Sequence, residues 1–225
     1  MLDGIKADSP ARRIKVWDLP TRVFHWLLAA AAVGMLVTGK IGGDALEWHA
    51  RIGYGVGALL LFRIAWGFVG GHWSRFAAFP PSPSRAWSHL RTSTAAAPGH
   101  NPLGALSVYA MLLFFALQVA SGLFSATKED FAGPLSAMVS NATVHFMTGY
   151  HKRVGQVVLI VLVTVHVLAV AYYLARGRNL VGAMVHGEQA GPGLASRDDW
   201  RSRCVAAILM SLCSLVMWCV VKLGA

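Results

Sequence analysis

Apolar residues gather into long runs along this chain rather than alternating with polar ones. The runs lie near residues 22–39, 50–69, 103–126, 152–175 and 204–222. Each approaches the roughly 20 residues a helix needs to cross a hydrocarbon core of about 30 Å. Only helices and closed barrels span lipid, and continuous runs lack the period-two alternation of barrel strands. The pattern predicts an all-α integral membrane protein with five spans. Pro, Gly and polar residues punctuate the connections: "FPPSPSR" and "TSTAAAPGHNP" before the third span, "TKEDFAGPLSAMVSNATVHFMTG" before the fourth, "VHGEQAGPGLASRDDW" before the fifth. The last of these divides the chain into a four-helix membrane domain over residues 1–185, a linker over 186–203 and a fifth helix over 204–225. The leader before the first run, with Pro10, Asp18 and Pro20, is long for a signal-peptide n-region. That run ends in Thr38-Gly39-Lys40 without a small-residue cleavage site, so it is taken as a span.

Composition sharpens this picture. Hydrophobic residues make up 56% of the chain and charged ones only 13%, where a soluble domain carries about a quarter. The formal charge of +10 would suit a nucleic-acid partner, but its distribution does not. Lys6, Arg12, Arg13, Lys15, Arg22, Arg75, Arg85, Arg91, Arg176, Arg178, Arg197, Arg201 and Arg203 all fall on one side of the predicted spans. Lys40, Arg51, Lys128, Lys152, Arg153 and Lys222 fall on the other, a clear minority. The positive-inside bias puts the N-terminus in the cytoplasm and the C-terminus outside, with anionic headgroups rather than nucleic acid meeting the basic side. Trp17, Trp48, Trp66 and Trp218 lie near span ends, where an interfacial belt accounts for them. Cys204, Cys213 and Cys219 all fall in the last span with neither a metal spacing nor a Cys-x-x-Cys-His attachment, and read as small buried apolar residues.

Nine histidines remain to be explained. His72, His89 and His100 sit in the polar loop before the third span, His186 in the last linker and His145 in the loop before the fourth span; all five read as solvated. His25, His49, His151 and His166 lie in or at spans, where ionisable groups are costly and usually functional. His166 follows His151 by fifteen residues, which is about 22 Å along a helix and within roughly 60° of the same direction. By depth, His49 matches His151 near the outer surface and His25 matches His166 near the inner one. The inner match requires the fourth span to tilt or protrude, or the first to begin before Pro20. Two imidazole pairs stacked across the bilayer suit axially ligated, non-covalent haem. Zinc ordinarily takes three or four protein ligands, whereas a porphyrin supplies four of its own.

A polar phrase is also written twice, as His49-Ala50-Arg51-Ile52-Gly53 and His151-Lys152-Arg153-Val154-Gly155. Gly53 and Gly155 follow their histidines by four residues, on the same helix face; either alone reads as close helix packing, but two copies in matching context point to room for a flat macrocycle. Arg51, Lys152 and Arg153 stand where haem propionates could meet them. Arg63, fourteen residues beyond His49, reaches the inner level. There it is a propionate contact, a structural partner within the bundle, or an arginine snorkelling to the surface.

"VWDLPTRVFHWLLAAAAVGMLVTG", "EWHARIGYG" and "HKRVGQVVLIVLVTVH" together resemble the bacterial cytochrome b561 and nickel–iron hydrogenase b-type cytochrome superfamily over roughly residues 15–185. The resemblance implies a four-helix transmembrane bundle with two b haems, ligated here by His25 with His166 and by His49 with His151. It also implies electron transfer across the bacterial inner membrane between the quinone pool and a periplasmic partner such as a c-type cytochrome, a dehydrogenase or a hydrogenase. The fifth helix departs from the four-helix members. Two rivals remain at this level: a superoxide:quinone oxidoreductase of the same fold, and a non-redox scaffold or transporter subunit with a histidine proton relay. Gln118 and Ser121 are polar candidates for a quinone pocket or for ordinary helix–helix hydrogen bonds.

Overall fold

The computed structural model describes residues 13–91, 98–127 and 131–224. Lys6, Arg12, Lys128 and the "TSTAAA" stretch lie outside the described residues. Among the described residues five helices are long and apolar enough to cross a membrane, and Val33, Leu168 and Ile208, each about 60% exposed, show the outward apolar surface that lipid requires. This is a multi-pass membrane protein.

Helix α1 (Leu19–Ile41) starts where sequence chemistry says it should. Asp18 is its N-cap, accepting from the Thr21 amide at 2.9 Å, and Pro20 occupies the first turn. It stops at Gly42, whose φ of 69° suits only glycine comfortably. Helix α2 (Ala45–Val69) is the central element, burying Val56, Ala58, Leu59, Leu60, Phe62, Arg63 and Trp66. It packs on α1, on α4 (Pro102–Leu123) and on α8 (Trp200–Lys222); α4 in turn packs on α6 (Gln156–Ala175) and on the short α3 (Pro83–Arg91). Helices α1 and α6 stand further apart than these pairs. The result is a cleft with α1 and α2 on one wall and α4 and α6 on the other.

The fourth span is longer than its apolar run. Helix α5 (Asn141–Gly149) passes into a π-helical turn at Tyr150–Gly155 and then into α6, giving one continuous 35-residue helix. Gly149 sits in it at φ −60°, so His145 is an exposed helical residue rather than a loop one. The π turn absorbs one extra residue, which brings His151 and His166 to within about 40° of a common direction.

Helix α8 answers what the fifth span does structurally: it backs α2. Ala206 and Met217 are buried there, and a β carbon on Gly57 would fall 2.7 Å from Met217 Sδ. Its far end meets the loop after α4, with Gly224 against the Pro134 carbonyl. Cys204 and Cys219 are exposed and Cys213 is half-buried, so only the last fits the expectation of a buried small residue.

The basic end carries a cap that the apolar pattern did not reveal. Strand β1 (Arg13–Lys15) pairs antiparallel with β2 (Glu188–Ala190), following α7 (Leu180–His186). Ile14, Val16, Trp17 and Ala183 form a small cluster with Trp73 and Met184. Beneath it the fully buried Asp18 carboxylate also accepts from Trp66 Nε1 at 3.2 Å, the Gly71 amide at 3.0 Å and Ser74 Oγ at 2.7 Å. Trp17 and Trp66 are therefore core residues, 5% and 1% exposed, while Trp48 and Trp218 keep belt-like exposure. Asp198 gathers Lys15, Arg22 and Arg203 and accepts from the Leu19 amide. Burial pushes its carboxyl up, but Arg203, the Leu19 amide and Lys15 outweigh that and hold it below the usual carboxylate value.

Candidate functional site

The cleft brings four histidines together in two pairs. His25 of α1 faces His166 of α6 with ring centroids 6.3 Å apart, and His49 of α2 faces His151 of the π turn at 6.0 Å. Two metal–imidazole bonds of about 2 Å, each extended by about 1.1 Å to the ring centre, separate axial imidazoles by about 6 Å. Both pairs meet that requirement. Among the described residues no three of His, Cys, Asp or Glu converge, so each pair offers two ligands and suits a group that brings its own equatorial donors.

The His49–His151 pair is held by the same device on both walls. His49 donates from Nδ1 to the Met35 carbonyl at 2.9 Å, with Thr38 Oγ1 at 3.3 Å. His151 donates from Nδ1 to the Gln118 carbonyl at 2.9 Å, with Ser121 Oγ at 3.3 Å. A carbonyl only accepts, so Nδ1 carries the proton and Nε2 keeps its lone pair for a metal. Each ring also nests on a glycine: a β carbon on Gly39 would lie 3.1 Å from His49 Cε1, and one on Gly122 would lie 2.9 Å from His151 Cε1. The stretches "MLVTG" (35–39) and "QVASG" (118–122) thus share one pattern. It consists of a carbonyl acceptor, a hydroxyl three residues on and a glycine four residues on. Gln118 and Ser121, candidate quinone contacts from sequence, are engaged here with His151; Gln118 Nε2 also donates to the His151 carbonyl.

The two glycines of the repeated phrase sit elsewhere. Gly53 faces the flexible end of Met35, where a β carbon would find ordinary contact at 3.4 Å. Gly155 lies hard against the Gln118 side chain, with Tyr150 behind it, and sets the close approach of α4. Arg51 pairs with Glu47 and covers Trp48, while Lys152 and Arg153 are exposed and line a shallow cavity with His145, Thr148 and Gly149.

At the other pair, His25 Nδ1 is enclosed without a hydrogen-bond partner and its ring meets Trp26 edge-on at 5.1 Å. Arg63 is only 3% exposed, lying over Phe76 at 5.0 Å and Phe79 at 5.9 Å. It does not snorkel out. His100 corrects the sequence reading most sharply. Its ring packs on Trp17 at 4.7 Å and Phe79 at 4.4 Å, and Nδ1 is sealed away from solvent. Burial first, then the charges of Arg63 and His166, push its pKa down to about 3, so the ring is neutral rather than a solvated loop imidazole. One signal was available: His100 immediately precedes Asn101, which caps α4 by accepting from the Gly104 amide at 2.7 Å and so fixes the chain there.

Fold and site together define a class: multi-pass helical membrane proteins with paired imidazoles facing across a cleft between spans. Over residues 16–187 the sequence matches the family described as prokaryotic cytochrome b561, and the chain belongs to that family. It is thus a b-type, haem b cytochrome of electron transport. It is similar to a probable Ni/Fe-hydrogenase B-type cytochrome subunit of Azotobacter vinelandii, at 28% identity over 82% of this chain and 92% of that one. A protein of the same description from Bradyrhizobium diazoefficiens is 26% identical over 84% of this chain and 93% of that one. The Escherichia coli K12 protein described as a probable Ni/Fe-hydrogenase 1 B-type cytochrome subunit is 24% identical over 48% of this chain and 57% of its own length. No solved structure matches.

Proposed function

We propose that this protein is a dihaem cytochrome b of the bacterial inner membrane, carrying electrons between the quinone pool and a periplasmic oxidoreductase. The observation that supports it best is the pair of imidazole tiers, 6.3 and 6.0 Å between ring centres, at opposite ends of one span. His25 with His166 holds the inner haem, and His49 with His151 holds the outer one. Bound haem b supplies the one-electron chemistry at its iron. The chain supplies the rest. The Met35 and Gln118 carbonyls fix the tautomer of His49 and His151 and hold their rings in place. The lipid-facing leucines and valines keep water from the cleft, and the basic residues set the N-terminus in the cytoplasm and the C-terminus in the periplasm. Residues 1–185 form the dihaem domain, 186–203 the linker, and 204–225 the helix that backs α2. Arg51, Lys152 and Arg153 line the periplasmic surface near the outer tier, within reach of haem propionates, and Gly53 and Gly155 leave its helices close. A hydrogenase fits the partner best, since the relatives above are named as hydrogenase cytochrome subunits; a c-type cytochrome is the alternative partner.

The experiment is transfer across a sealed membrane. Purified protein in proteoliposomes should pass electrons from an impermeant external reductant to ferricyanide trapped inside. His25→Ala and His49→Ala should each abolish the transfer, because the tiers act in series. Undiminished transfer in either variant would overturn the proposal.

A further inference from the structure

A buried guanidinium with no carboxylate against it is a costly thing to keep, and Arg63 is one. It is 3% exposed, its NH1 group has no partner, and it forms no ion pair among the described residues. The nearest acid is Asp18, but that carboxylate is occupied by the Thr21 and Gly71 amides, Trp66 Nε1 and Ser74 Oγ. Desolvating such a charge is tolerated when an anion meets it with good geometry. The second feature lies on the same aromatic ring. Phe79 carries the Arg63 guanidinium at 5.9 Å and the His100 imidazole at 4.4 Å. His100 Nδ1 is enclosed without a partner, and its neighbour Asn101 bonds Tyr173, which lies two turns beyond His166 on the same face of α6. The imidazole cannot swing away easily. Trp17 closes its other side at 4.7 Å, and Asn101 pins the chain by capping α4 and donating to Tyr173 Oη at 2.7 Å. Two orphaned donors, one charged and one neutral, therefore share a wall beside the His25–His166 pair.

We propose that Arg63 and His100 form a carboxylate clamp for a propionate of the haem held between His25 and His166. This rests on the function proposed above. A carboxylate offers two oxygens, one for the planar guanidinium and one for an imidazole N–H. The clamp also ties the cofactor to the cap at the basic end, because Phe79, Trp17 and the residues before α4 all bear on His100. His100 is a positioning residue: it touches the propionate and not the iron.

The test follows the midpoint potentials of both haems in His100→Ala, His100→Gln and Arg63→Gln, with the propionate bending band in resonance Raman spectra. Losing a donor leaves the propionate's negative charge less balanced and favours ferric iron. His100→Ala should shift the redox equilibrium of the His25–His166 haem about tenfold toward the oxidised form, about 59 mV for one electron. The His49–His151 haem should not move, and the propionate band should change for one haem only. Gln retains an N–H donor and should restore most of the shift, while Arg63→Gln should exceed it. Unchanged potential and band in His100→Ala, or equal shifts at both haems, would overturn the clamp. If His100→Ala fails to load this tier, the wild-type apoprotein is reconstituted with haem dimethyl ester instead. Occupancy of this tier at limiting ester should fall about tenfold relative to free-acid haem, and equal occupancy would overturn the clamp. A protein that binds no haem would refute the proposed function; one that binds two haems indifferent to His100 refutes the clamp alone.

Discussion

Alanine at Gly122 would place a methyl group 2.9 Å from His151 Cε1 and 3.3 Å from Nδ1. Comfortable carbon contacts begin near 3.5 Å, so the ring must retreat by about 0.6 Å or more. That retreat stretches the 2.9 Å bond from Nδ1 to the Gln118 carbonyl and turns Nε2 away from His49. Overpacking of this kind costs about 1–3 kcal/mol, and misaligning the bond adds to it. Affinity for the outer haem should therefore fall about 5- to 150-fold. Titration of haem into apoprotein, read at the Soret band, measures this directly, with the His25–His166 site as internal control. A graded series strengthens the test. Gly39→Ala, at 3.1 Å from the His49 ring, should do less harm, and Gly53→Ala, meeting only the mobile end of Met35, should do least. If Gly122→Ala loaded both sites normally, or if Gly53→Ala proved the most damaging, the nesting of imidazoles on glycine would be wrong.

Other expectations follow from the same geometry. His49→Ala should empty the outer tier and spare the inner, and His25→Ala should do the reverse, because sites about 20 Å apart share no ligand; difference spectra and haem content check both. His145→Ala should keep two haems while His151→Ala keeps one, since His145 is exposed and it is the His151 ring that faces His49. Asp198 should make the cap acid-sensitive. Its pKa is lowered in the folded protein, so its contribution is present above the unfolded carboxyl value near 3.8 and is lost as pH falls through the lower folded value. Thermal unfolding in detergent should show that loss at acid pH, and Asp198→Asn should be less stable at neutral pH by about 1–3 kcal/mol with the acid dependence flattened.

The spans were legible because lipid enforces long apolar runs, and only their ends shifted. Span four grew to include Asn141–Gly149 because Gly149 adopts ordinary helical angles in a helix already anchored at the Ser140 cap. The cap at the basic end was not legible. A three-residue strand at Arg13–Lys15 carries no periodicity, and its partner lies some 175 residues away. Among the site residues, helical spacing was enough to suggest that His25 and His166, and His49 and His151, share levels, and their rings do face each other. Gly39 and Gly122 escaped notice because glycine in a span reads as packing until a ring is seen resting on it. The Met35 and Gln118 carbonyls could not be read at all, since every residue has one. His100 misled because loop composition implies solvent, while burial depends on Trp17 and Phe79, distant in sequence, closing over it.

On the proposed function each chain holds two haems, each between two imidazoles. A pyridine haemochrome assay on fully loaded protein, set against polypeptide mass from amino-acid analysis, tests it most directly. About two b haems per chain are expected, falling to about one in either His25→Ala or His49→Ala. A ratio near one in the wild-type protein, or a ratio that neither substitution lowers, would contradict it.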